Sequence, residues 1–242
     1  MFLEKFIRAV RQLADTLLPA MCVLCNHRAH PANNLCDACR CDLPSLSHGC
    51  RQCAAFLPES NHLDLLCGDC LQNPPPFERI YALFPYEPPV MQLIIALKFQ
   101  HKLSHSRLFS HLLIEKIITE WYQNKPLPDL IIPIPLHPQR LRERGFNQAL
   151  EIARPISKHL GIPLDIHGTQ RTKHTAAQSG LTALERQRNI TGAFAANRDY
   201  TGLSVVVVDD VMTTGQTARE ISRVLRARGA SRIDVWCCAR RG

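Results

Sequence analysis

Three groups of residues in this chain have the types and the spacing to do chemistry. The first is Asp209-Asp210, followed after two residues by Thr213-Thr214-Gly215-Gln216-Thr217. Adjacent carboxylates suit the vicinal hydroxyls of a sugar, or a magnesium ion. The loop after them runs toward a helix start, where unpaired backbone N–H groups and the positive end of the helix dipole receive a phosphate. Threonine hydroxyls add donors, and Gly215 lets the backbone approach closely. A phosphorylated ribose satisfies both halves at once. The second group is eight cysteines in four Cys-x-x-Cys pairs, Cys22/Cys25, Cys36/Cys39, Cys50/Cys53 and Cys67/Cys70. Each tight turn aims two sulfurs at one ion, and two turns complete a tetrahedral site with no open position, which is structural zinc rather than catalytic metal. Taken in sequence order the pairs make two Zn2+ sites; spacing alone also permits an interleaved pairing. Cys41, His27, His30 and His48 lie nearby and read as bystanders, and Cys237 and Cys238 as small apolar core residues of a late strand.

A third group is basic. Arg140, Arg142 and Arg144 follow the apolar run DLIIPIPL. Taken singly, each is an ordinary surface charge. As a set beside one strand end, their forked donors suit a pyrophosphate or a nucleic-acid phosphate. Arg171, Lys173, Arg186 and Arg188 could line a flap or groove.

These residues need elements to position them. ERIYALFPY, DLIIPIPL, GLSVVVVDD and SRIDVWCCA read as strands. VMQLIIALKF, the stretch from Ser104 to Trp121, NQALEIARPISKHLG and the segment after Thr217 read as helices, the third kinked or shortened by Pro155 and the last stopped by Gly229. Strands alternating with helices predict an α/β fold, a mostly parallel sheet with flanking helices. Ligands of such sheets bind beyond the carboxyl ends of the strands, which puts Asp209 and Asp210 at the end of the Val205–Val208 strand. LQNPPPFERI marks a linker. The expected division is an N-terminal amphipathic helix over 1–20, a double zinc-ribbon domain over 21–73, and an α/β domain over 77–242.

Charge follows the same division. Residues 1–76 hold six Lys/Arg against seven Asp/Glu, whereas 77–242 hold 23 against 14, so the larger segment attracts phosphate-bearing partners. No apolar stretch reaches the roughly 18 residues of a membrane helix, and charges interrupt the N-terminal apolar run, so the expectation is a cytoplasmic protein without membrane insertion.

The stretch VVVVDDVMTTGQT resembles the phosphoribosyl-pyrophosphate signature of type I phosphoribosyltransferases. That resemblance implies Asp209 and Asp210 on the ribose hydroxyls, and Thr213, Thr214, Gly215, Gln216 and Thr217 on the 5′-phosphate. Together with the four cysteine pairs, PPPFERI, PIPLHPQRLRERGFNQ (133–148) and AAQSGLTALERQRNITGAF (176–194), it resembles the ComF/GntX family, in which a zinc ribbon precedes a type I phosphoribosyltransferase-like domain. The family is associated with natural transformation and use of external DNA. The resemblance implies phosphoribosyl pyrophosphate with Mg2+ as ligand, and single-stranded DNA and DNA-processing proteins as partners. An alternative is an active Mg-dependent phosphoribosyltransferase of nucleobase salvage, with Asp209 and Asp210 holding the sugar and Arg142 or Arg144 stabilising the leaving group. No stretch of the sequence identifies itself as a nucleobase pocket, and aromatic content of 6% offers no obvious base-stacking platform.

Overall fold

The computed structural model describes residues 19–31, 33–46, 49–57, 65–173 and 190–242. The helix expected over 1–20 lies, but for its last two residues, outside them. So do His48, Arg186, Arg188 and most of the 176–194 stretch. The chain forms two compact units, Met1–Leu43 and Pro44–Gly242.

In the first unit, antiparallel bridges Met21↔Arg28 and His30↔Leu35 fold the chain back on itself ahead of a short helix, α1 (Asp37–Cys41). Cys36 caps that helix, its sulfur accepting from the Cys39 N–H at 3.5 Å.

The second unit opens with the bridge Gly49↔Phe56 and helix α2 (Gly68–Gln72), then builds the sheet. Its strands are β1 (Arg79–Pro85), β2 (Leu130–Pro133), β5 (Ser204–Met212) and β6 (Arg232–Arg240), all parallel and ordered β1-β6-β5-β2. Between β2 and β5 the chain forms an antiparallel ribbon, β3 (Thr169–Arg171) with β4 (Phe194–Ala196). Helices α3 (Val90–Phe99) and α4 (Ser104–Lys116) connect β1 to β2, with Ile117–Trp121 continuing α4 as a π-helical turn. Helices α5 (Pro138–Arg144) and α6 (Gln148–Leu160) follow β2, and α7 (Gln216–Ala227) joins β5 to β6. The expected parallel sheet with helices is therefore present.

Val205–Val208 are fully buried because both faces of β5 are covered, as parallel strands require. Side chains alternate along a strand, so Val205 and Val207 join Ile233, Val235 and Cys237 in one layer, closed by Ala218, Ile221 and Leu225 of α7. Cys50, Cys53, Cys70 and Phe77 belong to that same layer. On the opposite face α4 packs against α6, where the Ser110 hydroxyl donates to the Ile152 carbonyl at 2.8 Å. Cys237 and Cys238 are fully buried, as small core residues should be.

Two local expectations change. Pro155 does not end or shorten α6, which runs unbroken from Gln148 to Leu160. Burial of Ala149, Ile152, Ala153 and Ile156 on one face outweighs the one backbone bond that proline removes. β5 also does not stop before the acids. It continues to Met212, because β6 extends to Arg240 and pairs Asp209 with Cys237 and Val211 with Ala239.

Candidate functional site

The continued strand explains where the acids sit. β2 ends its pairing at Pro133↔Val208, and the Ile134 N–H makes the last bond, to the Val208 carbonyl at 2.9 Å. Beyond Val208, β5 is paired only on its β6 side, so Asp209 and Asp210 lie where the sheet narrows from four strands to three. By alternation they point to opposite faces. Asp209 turns to the layer holding α7, and Asp210 to the side of α3.

Each carboxylate meets basic groups on its own side. Asp210 is buried, and its Oδ2 lies 2.7 Å from Lys98 Nζ at the end of α3, while its Oδ1 accepts the Val211 N–H at 2.9 Å. Burial opposes the charge on Lys98, but Asp210 and Asp209 outweigh burial and hold the ammonium above its usual range. Asp209 Oδ1 accepts the Asp210 N–H at 2.9 Å. Burial first, then the neighbouring Asp210, push the Asp209 carboxyl up to about 8, with Lys98 acting in the opposite direction. Arg171 of β3 feels the charge of Asp209, and Arg144 of α5 that of Asp210; burial lowers both guanidinium values, and the carboxylates work against it.

The Thr213–Thr217 loop follows at once. Gly215 takes φ +76°, a left-handed conformation that L side chains rarely adopt, and forms the N-cap of α7. The Arg219 N–H is the first to bond back, to the Gly215 carbonyl at 2.9 Å. The N–H groups of Gln216, Thr217 and Ala218 therefore have no intrahelical acceptor. Thr213, Thr214, Gln216 and Thr217 are half-buried around them.

Of the three arginines after β2, the structure groups two. They belong to α5, which starts at His137 and Pro138 and ends at Gly145 in the left-handed region. Arg140 and Arg144 are one helical turn apart and line a pocket of about 150 Å³ with Lys98, Phe99, His101 and Glu143. Arg142 lies on the other side of the helix, exposed to solvent. Sequence reading missed Lys98, Phe99 and His101. VMQLIIALKF reads as a generic amphipathic helix, and only the tertiary arrangement brings its last turn to Asp210.

Two sets of four sulfurs complete the chemistry. Cys22, Cys25, Cys36 and Cys39 form one set, and Cys50, Cys53, Cys67 and Cys70 the other, with the ligand atoms of each within 4.8 Å of one another. The pairs thus combine in sequence order, and the interleaved alternative is ruled out. Cys25 and Cys36 sulfurs lie 3.6 Å apart, as do those of Cys53 and Cys67. A tetrahedral Zn2+ with bonds of about 2.3 Å demands an S···S edge of about 3.8 Å, so the donor sets fit. Burial opposes ionisation of Cys50, but backbone N–H groups of Cys53, Cys67 and Gln52 outweigh it and pull the thiol down to about 7. Cys41, His27 and His30 are outside both sets.

The second sulfur set is tied to the loop by arginines. Arg219 of α7 donates to the Asp69 carboxylate at 2.6 Å and to the Asn73 carbonyl at 2.7 Å, and Asp69 lies between Cys67 and Cys70. Arg240, buried at the end of β6, donates to the Cys53 carbonyl at 3.1 Å and to the Met212 carbonyl at 3.3 Å. Met212 immediately precedes the Thr213–Thr217 loop.

Comparison with known proteins agrees with this layout. Residues 147–242 match the model of the phosphoribosyl transferase domain family, and residues 13–71 that of the double zinc ribbon domain. Over 225 residues the chain is 35% identical to the DNA utilization protein YhgH of Salmonella typhi, covering 92% of this chain and 98% of that one. It is likewise 35% identical over 225 residues to competence protein F of Haemophilus influenzae, covering 90% of this chain and 96% of that one. Competence protein ComFC of Bacillus subtilis is 24% identical over 206 residues, covering 82% of this chain and 80% of that one.

Proposed function

We infer the function from one premise: the chain belongs to the ComF family, with the DNA utilization protein YhgH and competence protein F among its relatives. On that premise the protein binds a ribose 5-phosphate group of the phosphoribosyl-pyrophosphate type, with Mg2+, and acts in the use of external DNA, on incoming single-stranded DNA and beside DNA-processing proteins. A single observation carries this reading. At the point where β2 ends, an acid pair, Asp209 half-buried and Asp210 buried, runs on into a left-handed Gly215 and a helix start with three N–H groups lacking intrahelical acceptors.

The residues divide the ligand by charge. The N–H groups of Gln216, Thr217 and Ala218, with the hydroxyls of Thr213, Thr214 and Thr217, take the 5′-phosphate. Asp209 and Asp210 take the ribose hydroxyls. Arg140 and Arg144, on the Asp210 side, take the pyrophosphate, and Arg142 reaches it only from the solvent side of α5. Asp209, whose carboxylate faces away from Lys98, would be the group to meet a Mg2+ brought in with the ligand, and that ion would supply charge neutralisation to a bound pyrophosphate.

The basic pocket beside Asp210 favours a second reading, a phosphoribosyltransferase of nucleobase salvage. There the bond from the anomeric carbon to pyrophosphate breaks as one to a nitrogen nucleophile forms. The chain's own residues contribute by holding the sugar and countering the leaving group's charge. Calorimetry with phosphoribosyl pyrophosphate and Mg2+ tests the shared step. Wild-type binding that disappears in Asp209→Asn/Asp210→Asn supports the site, and a folded wild type that does not bind removes both readings. Pyrophosphate release on adding nucleobases then separates turnover from binding alone.

A further inference from the structure

The two ends of the Thr213–Thr217 loop are held by different halves of one sulfur set. Ahead of the loop, the Met212 carbonyl accepts from Arg240 at 3.3 Å, and the same guanidinium donates at 3.1 Å to the Cys53 carbonyl, on the Cys50/Cys53 turn. Behind the loop, the Arg219 N–H closes the first turn of α7 on the Gly215 carbonyl, while the Arg219 side chain reaches the other cysteine pair. It donates at 2.6 Å to Asp69, between Cys67 and Cys70, and at 2.7 Å to the Asn73 carbonyl. Asp69 lies in the first turn of α2 and Asn73 is its C-cap, so one guanidinium spans the helix that carries Cys70. The two cysteine turns meet each other through sulfur. The Cys67 N–H donates to Cys50 Sγ at 3.3 Å, and the Cys53 and Cys67 sulfurs are 3.6 Å apart.

Simple packing of the ribbon on the sheet does not require this arrangement. Of the three arginines in α7, Arg223 pairs with Glu220 of its own helix and Arg226 with Glu78, just ahead of β1. Arg219, the one nearest the loop, goes to the sulfur set. We propose that Arg219 and Arg240 are positioning residues that couple metal at the second sulfur set to phosphate at the Thr213–Thr217 loop, so that each ligand tightens the other. With five residues α2 is too short to persist alone, and its capping Cys67 and buried Cys70 are both metal donors. Metal at the four sulfurs fixes the separation of the two turns, and the arginines carry that separation to Met212 and Arg219, on either side of the cradle. Linkage then requires phosphate on the loop to strengthen metal binding by the same factor. The phosphate half of this coupling rests on reading the loop as a ribose 5-phosphate site.

The linkage is read at equilibrium, in the full chain carrying Cys22→Ser/Cys25→Ser so that the second set is the remaining four-sulfur site. Zinc affinity is measured by chelator competition with and without ribose 5-phosphate, a probe that needs no Mg2+. Ribose 5-phosphate should raise zinc affinity about tenfold. Arg219→Met and Asp69→Asn should each cut that factor below about twofold, and the two together no further, because both remove one contact. An arginine that only packs the ribbon would lower zinc affinity equally with and without ribose 5-phosphate, and that result overturns the proposal. So does bound ribose 5-phosphate that leaves zinc affinity unchanged. A second measurement needs no phosphate. Replacing Zn2+ by the larger Cd2+ widens a four-sulfur site, so the amide NMR resonances of Gly215 and Thr217 should move with the metal, and move less in Arg219→Met. If ribose 5-phosphate does not bind, the ribose-phosphate reading falls and these resonances decide: following the metal upholds the coupling, and ignoring it overturns the coupling.

Discussion

Asp209 shows what a carboxylate placed at the edge of an apolar sheet costs the fold. Its carboxyl titrates near 8 in the folded chain, pushed up by burial and by Asp210, against about 3.9 when unfolded. The folded state then binds the extra proton between those values, so this group's contribution is fully present below pH 4 and is lost as pH rises to 8. Asp209→Asn has no such loss. It should melt higher than wild type at pH 8.5, with the gap closing toward pH 5, at about 2–4 °C per kcal/mol for a chain of this size. Differential scanning calorimetry across pH reads this directly, and a gap that widens at low pH would contradict it. The strand end at the acids and the helix start after Gly215 were legible in the sequence because an apolar run, a glycine and hydroxyl residues in that order mark a strand–turn–helix. Lys98 and Phe99 were not legible. Nothing in ALKF separates a lysine bound for solvent from one that ends 2.7 Å from Asp210.

At the scale of elements, hydrophobic runs located every strand of the main sheet and the helices that cover it, since a strand buried on both faces has to be apolar throughout. The β3–β4 ribbon escaped, because three residues per strand, with Gln170 and Arg171 among them, carry no alternation to detect. Pro155 leaves α6 at full length for a related reason: the face that α6 buries outweighs local propensity. Pro155 still removes a backbone bond inside an amphipathic helix. Pro155→Ala should therefore stabilise the protein by about 2 kcal/mol, from about 3 kcal/mol of interior helix preference less about 1 kcal/mol of added unfolded-chain entropy. Urea unfolding measures it; a loss of stability would mean that the helix depends on proline at that position.

For the whole molecule, the four cysteine pairs announced two metal sites but not their unequal standing. The Cys22–Cys39 set lies in the first unit, whereas Cys50, Cys53 and Cys70 share a core layer with β5, β6 and α7. Replacing Cys50 and Cys53 by serine should lower the melting temperature of the second unit by about 10 °C or more, since metal binding there is part of folding. The same change at Cys22 and Cys25 should leave that transition within about 2 °C, a difference that thermal melts followed by circular dichroism will show. Arg240 adds a dynamic consequence. Its one guanidinium holds the Cys53 and Met212 carbonyls together, away from water. Exposed glycine-bearing loops ordinarily open on their own, far more often than the core beneath them. Here Met212, the residue just before the loop, cannot lift without giving up its bond to a buried cation, so amide exchange at the loop's base should keep pace with the slow opening of the metal knuckle rather than with that of a surface turn.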